Sequence, residues 1–345
     1  MSKSLILIVI IFLINSCSSI KNINNVESKR NSGSKINHDQ VDLDINEHST
    51  GTKVDVTPQE ETVRVGDRGG DVYSNNPSSA ETNHFEYKKL KIGLSFGPGL
   101  YRTLNYVSFL KVLERQNHVP EIVTGTGFGA IVAAMYSIGM TPEVIEWNFY
   151  KYFKEKKKNK LYEKDWLNEV DEKLLVKFKN QNIQDTKKKF YITLYDNITK
   201  KTYYFDKGNI RELLLLNLKL SNNLSESKNQ KYSAAFENEV FNARLLKQLG
   251  AEFTVAVDVL GSSFQIESSS EFLNNVYQKI INKIKVEKKN FDYMVTLPLS
   301  MMNLDSTNEG PLYLQKSYVF MQKQSPLIQR KIQAKAESLI HLGNE

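Results

Sequence analysis

Two glycine-rich turns hold the residues whose types and spacing could do chemistry. The first, Gly93 to Arg102, reads GLSFGPGLYR, and the second, Val123 to Tyr136, reads VTGTGFGAIVAAMY. In each, a short apolar run breaks at glycine and a helical apolar segment follows. A Gly-Pro-Gly turn before a helix presents backbone N–H groups beside a helix N-terminus, which suits an oxyanion or a phosphate. Taken alone it is equally a turn that uses glycine for sterics. The second turn has the strand, tight bend and small-residue helix of a nucleophile elbow, the Gly-x-Ser-x-Gly arrangement that holds a serine out of a strained turn. Here its five positions are Gly125, Thr126, Gly127, Phe128 and Gly129. The central one carries no oxygen, so no acyl-enzyme can form on it, although glycine readily takes the positive φ that the bend demands.

In order and distance the two turns together resemble the patatin family of lipid acyl hydrolases. Bacterial members resemble GPGGARGLAHIGVLKVLE in the first block; this chain has GPGLYRTLNYVSFLKVLE and keeps Gly97, Pro98, Gly99, Arg102 and the run Leu110 to Glu114. The second block resembles GTSAGAIVGALYASGYSPEEL, against GTGFGAIVAAMYSIGMTPEVI from Gly125 to Ile145. The family's LGADVVIAVDVLG resembles LGAEFTVAVDVLG, Leu249 to Gly261, and Gly208 to Leu213 stands in the place of a helix in the family's second half. The resemblance covers roughly Lys91 to Ser262, with a fainter match from Phe291 to Met321.

That resemblance implies a patatin-like three-layer α/β fold, with a mostly parallel sheet and helices on both faces. It also implies a Ser-Asp dyad working without histidine, metal or cofactor. On the alignment the serine falls on Gly127. The aspartate of an Asp-Gly-Gly or Asp-Gly-Ala motif, sixteen residues before Gly250, falls on Ala234 in Ala234-Ala235-Phe236. Both dyad groups are thus missing, while Gly97, Pro98, Gly99 and Arg102 of the oxyanion side remain. Glu237 lies close in sequence to the missing aspartate but is set to point elsewhere. Phe128 and Leu100 are bulkier than the small residues the family has at their positions, and are placed to fill the cleft. Ser95, Thr126 and Ser137 are the nearby hydroxyls that could substitute; Ser95 reads as a structural strand-end hydroxyl, and elbow geometry aims only the central side chain at the cleft. His118, before Pro120, reads as a loop residue, and Asp258 as a structural strand end. Three readings follow: a silent domain with a lipid- or partner-binding role, an active lipid acyl hydrolase with a non-standard nucleophile, and a structural or interaction lipoprotein.

The elements that must position these residues alternate between strand and helix. Lys91–Phe96 and Glu121–Gly125 read as buried strands. After the first turn, Leu104, Val107, Leu110 and Leu113 recur on one helical face, and Ala130–Ile138 reads as an apolar helix. Thr141 with Pro142 opens a helix expected to run to Lys164. It carries Trp147, Phe149, Tyr150, Tyr152 and Phe153, then seven lysines between Lys151 and Lys164. Such a segment either packs its aromatics on the core with a solvated lysine face or lies on an anionic membrane surface. Lys189–Tyr195 and Thr202–Phe205 read as a hairpin, Glu252–Leu260 as the strongest buried strand and Phe291–Leu297 as the last. Strands alternating with helices imply a mostly parallel sheet.

The N-terminal residues address the compartment. Lys3 and the apolar run Leu5 to Ile14 have the form of a secretory signal, too short to span a bilayer, for which about 20 residues are needed. Ile14-Asn15-Ser16-Cys17 resembles a bacterial lipobox, which implies cleavage after Ser16 and diacylation of Cys17. Cys17 is the chain's single cysteine, so there is neither a disulfide framework nor a thiolate metal cluster. In the Gram-negative pattern Ser18 implies outer-membrane delivery. The expected organisation is a signal peptide over 1–16, a lipidated cysteine and polar disordered tether over 17–84, and one patatin-like domain over 85–345. The chain has 46 Lys and Arg against 39 Asp and Glu and carries no basic-aromatic nucleic-acid motif. The expected partners are the membrane, through Cys17, and a lipid or acyl ligand; the sequence specifies no protein partner.

Overall fold

The computed structural model describes residues 89–221, 229–261, 264 and 271–342. The signal peptide, Cys17, the tether and residues 85–88 lie outside the described residues, as does Ser262 at the end of the sequence match.

A seven-stranded sheet runs in the order β4-β3-β2-β1-β6-β7, with β5 paired to β3 off this path. The strands are β1 (Ile92–Phe96), β2 (Ile122–Gly125), β3 (Lys189–Asp196), β4 (Lys201–Phe205), β5 (Tyr232–Ala234), β6 (Phe253–Asp258) and β7 (Tyr293–Thr296). The pairs β1–β2, β1–β6, β2–β3 and β6–β7 are parallel; β4 and β5 both run antiparallel to β3. Every residue of β1 and β6 is buried, as a parallel sheet covered on both faces requires. The result is the three-layer α/β arrangement expected.

The helices are α1 (Tyr106–Arg115), α2 (Gly129–Ser137), α3 (Pro142–Glu155), α4 (Lys164–Val170), α5 (Ile210–Asn217), α6 (Ala243–Gln248), α7 (Glu271–Glu287) and α8 (Gly310–Leu342). A 3-10 segment, Leu100–Asn105, precedes α1. Leu104, Val107, Leu110 and Leu113 are all fully buried. The long α8 packs on α1 and on the 3-10 segment, where Ser317 Oγ donates to Asn105 Oδ1 at 3.0 Å. Among the described residues no helix is long and apolar enough to cross a membrane.

One element departs from its expected extent. The helix opened by Thr141, whose hydroxyl accepts from Val144 N, ends at Glu155 rather than Lys164. Lys156 is extended, and the lysine run beyond it places like charges one turn apart, which disfavours helix. The buried carboxylate of Glu169 holds the loop instead, accepting from Lys157 N at 2.5 Å and Asn159 Nδ2 at 2.8 Å. Inside α3, Phe149, Tyr152 and Phe153 face the core while Trp147 is 67% exposed, so neither description of that helix holds for all of its aromatics.

Candidate active site

The parallel pairing of β1 with β2 sets Phe96 beside Gly125, so the two glycine-rich turns leave the sheet side by side. They are in direct backbone contact. Thr126 N donates to Phe96 O at 3.0 Å, and a Cβ on Gly129 would stand 2.1 Å from Gly97 O, so no residue with a side chain fits there. Tyr106 Oη accepts from Gly97 N and donates to Gly97 O, both at 3.0 Å, which fixes the first turn from behind.

Gly127 sits at the apex of the second turn with φ +56, the left-handed geometry of an elbow. A Cβ built on it would lie 2.9 Å from Pro98 Cβ and 3.2 Å from Phe236 Cδ1. The apex is therefore covered by the first turn's proline and by an aromatic ring. Asn217, the last residue of α5, holds it in place: its Oδ1 accepts from Gly127 N at 3.1 Å and its Nδ2 donates to Gly127 O at 2.7 Å. Nothing in the sequence pairs Asn217 with the elbow; the sole signal is a fully buried asparagine closing a leucine-rich helix.

Ala234 is brought to the same place by sheet register. β2 pairs with Lys189 to Ile192 of β3, and β5 continues along that side of β3 with Leu194 to Asp196. Thus β5 sits in line beyond the end of β2, where the chain turns into the elbow. Ala234 is fully buried, and its N–H donates to Lys219 O at 2.8 Å. Phe236, two residues later, is the side chain that reaches Gly127.

Around the elbow stand large side chains. On the sequence alignment Phe128 falls at an alanine, Leu100 and Tyr101 at Gly-Ala, and Phe236 at the last Gly or Ala of the aspartate motif. All four are buried. Leu100 has φ +45, so a leucine occupies a conformation suited to glycine, which costs about 1–2 kcal/mol. The Phe128 ring packs against Tyr101 at 5.6 Å, Trp166 at 6.0 Å and Phe149 at 6.1 Å between centroids. Tyr101 Oη accepts from Trp166 Nε1 at 2.9 Å and pairs with Tyr152 Oη at 3.2 Å. Burial pushes its phenol up to about 12, so it remains neutral and serves as packing.

The substitute hydroxyls are all engaged. Ser95 Oγ accepts from Thr124 Oγ1 and from Asn242 N, each at 3.0 Å. Thr126 Oγ1 donates to Val240 O at 2.6 Å, and Ser137 Oγ donates to Ala134 O at 2.9 Å. All three residues are fully buried. Glu237 is half-buried, with its carboxyl raised by desolvation, and His118 lies in the loop after α1.

Arg102 is fully buried, with its guanidinium bonded to backbone carbonyls. Its Nε donates to Met302 O at 2.9 Å and its Nη1 to Leu260 O at 3.0 Å, with Nη2 on Met302 O as well. The guanidinium thus ties the 3-10 segment to the loops after β6 and β7. Burial pulls it down to about 10, with Asp258 opposing that shift. Asp258 caps the turn after β6, its Oδ1 accepting from Leu260 N at 2.9 Å and Gly261 N at 3.0 Å.

A comparison with protein families matches the patatin-like phospholipase model over residues 94–277, which is more than half of the chain and includes both turns and β5. The chain belongs to the patatin-like phospholipase family. Among solved structures, the type III effector protein ExoU is similar at 12% identity and a TM-score of 0.37, over 70% of this chain and 53% of that one. ExoU in complex with SpcU, from Pseudomonas aeruginosa, is similar at 9% identity and a TM-score of 0.36, over 71% of this chain and 53% of that one. VipD from Legionella pneumophila is similar at 10% identity and a TM-score of 0.38, over 73% of this chain and 67% of that one. The aligned part thus spans about half the length of ExoU. No curated protein matches the chain. The matched span contains Gly127 and Ala234, the positions on which the sequence alignment places the family's serine and aspartate.

Proposed function

We propose that this chain is a catalytically silent patatin-like protein, a lipoprotein held in the cell envelope through Cys17. The observation that carries the reading is the apex of the elbow. Gly127 supplies no nucleophile, and the volume a serine Cβ would need is taken by Pro98 and Phe236. Ala234 supplies no base, and Ser95, Thr126 and Ser137 are buried in bonds of their own. Removing the nucleophile of a serine hydrolase typically lowers the rate by about 10⁴–10⁶-fold.

The purified protein is expected to hydrolyse neither p-nitrophenyl esters nor phospholipids above background. Turnover abolished by replacing Ser95, Thr126 or Ser137 with alanine would reject the reading. With aromatic side chains packed at the elbow, a binding role for lipid or for a protein partner falls to the outer surface. The anchor is tested separately. Cys17→Ser is expected to leave the precursor uncleaved and without acyl chains, read by mass spectrometry; a variant that matures and sediments with membranes like the parent would reject it.

A further inference from the structure

The outer face of α3 combines exposed apolar residues with lysines. Val144, Trp147, Lys151 and Lys154 follow one another at three- and four-residue spacing, which sets them on one stripe of the helix. Trp147 is 67% exposed and Val144 44%. Lys177, which follows the 49% exposed Val176, reaches this helix through its Nζ, which donates to Asn148 Oδ1 of α3. Burying an indole against apolar surroundings is worth kilocalories, and its N–H wants a polar partner, so a tryptophan suits a boundary that is apolar on one side and wet on the other.

The charges around the stripe point the same way. Near its start the acidic residues are turned aside: Glu146 pairs with Lys111 at 2.6 Å, and Glu143 lies 3.8 Å from the same ammonium. Among the described residues, Lys151 and Lys154 have no carboxylate partner. Lys177 is drawn down to about 8 by desolvation and by the charge of Lys151, so these two cations oppose each other and an anion between them would be favoured. Glu155 borders the stripe at its far end, where the exposed Lys157 and Lys158 outweigh it. The inner face of the same helix is fixed by Phe149, Tyr152 and Phe153, so the stripe is presented on a rigid element.

We propose that the outer face of α3 docks on an anionic lipid surface, with Trp147 and Val144 entering the headgroup boundary and Lys151, Lys154 and Lys177 on lipid phosphates. An apolar stripe flanked by lysines without a described carboxylate partner matches a bilayer that offers both acyl chain and negative charge. The inference rests on the surface alone and stands or falls apart from catalytic silence and from the anchor.

The test uses the full chain with vesicles of phosphatidylcholine and phosphatidylglycerol, part of the phosphatidylcholine being brominated, and with vesicles of phosphatidylcholine only. Subtracting the emission of Trp147→Phe from that of the wild type isolates Trp147, since Trp166, the other tryptophan, is buried. The difference signal is expected to shift to the blue and to be quenched by bromine on the anionic vesicles, and much less on the neutral ones. Each lysine neutralised should weaken the contact about fivefold, so Lys151→Gln with Lys154→Gln should weaken it about 25-fold. Because the anchor alone brings the chain to either vesicle, quenching that is equal on both would overturn the proposal. So would an unquenched Trp147, the outcome expected if a protein partner covers this face.

Discussion

Replacing Arg102 with alanine is expected to lower the stability of the domain by about 3–5 kcal/mol, the cost of breaking a buried charged network from one side. Arg102 is fully buried, and its donors are distributed over the carbonyls of Met302, Leu260 and Val259. Removing the side chain strands those oxygens in a dry interior and removes a tie between the loops after β6 and β7. Arg102→Lys should recover a minor part, since one ammonium cannot span carbonyls that a planar fork reaches. Urea titration of the three proteins measures the effect. An Arg102→Ala protein with the wild-type midpoint would mean that these bonds contribute nothing, and the position would again be open to a role at the turn.

The contrast between Arg102 and Gly127 shows what was legible in the sequence. That Gly127 at the apex has no side chain is a statement about residue type, read from the sequence directly. The strands were legible because β1, β2 and β6 are buried on both faces and read as short, mainly apolar runs. Arg102 read as an oxyanion-side residue because its spacing from the Gly-Pro-Gly turn is the family's. Where its side chain goes is decided by loops 157 to 200 residues away, which spacing cannot report. The end of α3 was hidden for a related reason: the aromatic and lysine pattern continues past Glu155, but Glu169, on the following helix, captures the chain. Phe128 and Leu100 were visible as bulky residues in small-residue motifs. Phe236 was not, because its approach to Gly127 depends on β5 lying in line with β2 along β3.

Phe236 also decides what a reconstruction would do. Gly127→Ser alone is expected to destabilise the domain by about 2–4 kcal/mol, combining the strain of a side chain at positive φ with overpacking. The structural ground is the Cβ at 2.9 Å from Pro98 and 3.2 Å from the Phe236 ring. Adding Ala234→Asp should give no activity, since the new serine is crowded by Pro98 and that ring and the aspartate enters a fully buried position. Phe236→Ala is itself costly, at about 3–5 kcal/mol, because it empties a packed position. Combined with Gly127→Ser, however, the two losses should add to less than their sum, because the smaller residue at 236 releases the clash. A coupling of about 1–3 kcal/mol is the range in which residues in contact interact. Urea midpoints of the wild type, both single variants and the pair measure it directly. Strict additivity would show that Phe236 does not close the elbow. Esterase activity is then expected in the triple Gly127→Ser, Ala234→Asp, Phe236→Ala, where nucleophile, base and space are restored together. Activity in the Gly127→Ser, Ala234→Asp protein with Phe236 intact would show that the ring moves aside, and that the elbow is a closed cleft rather than part of the core.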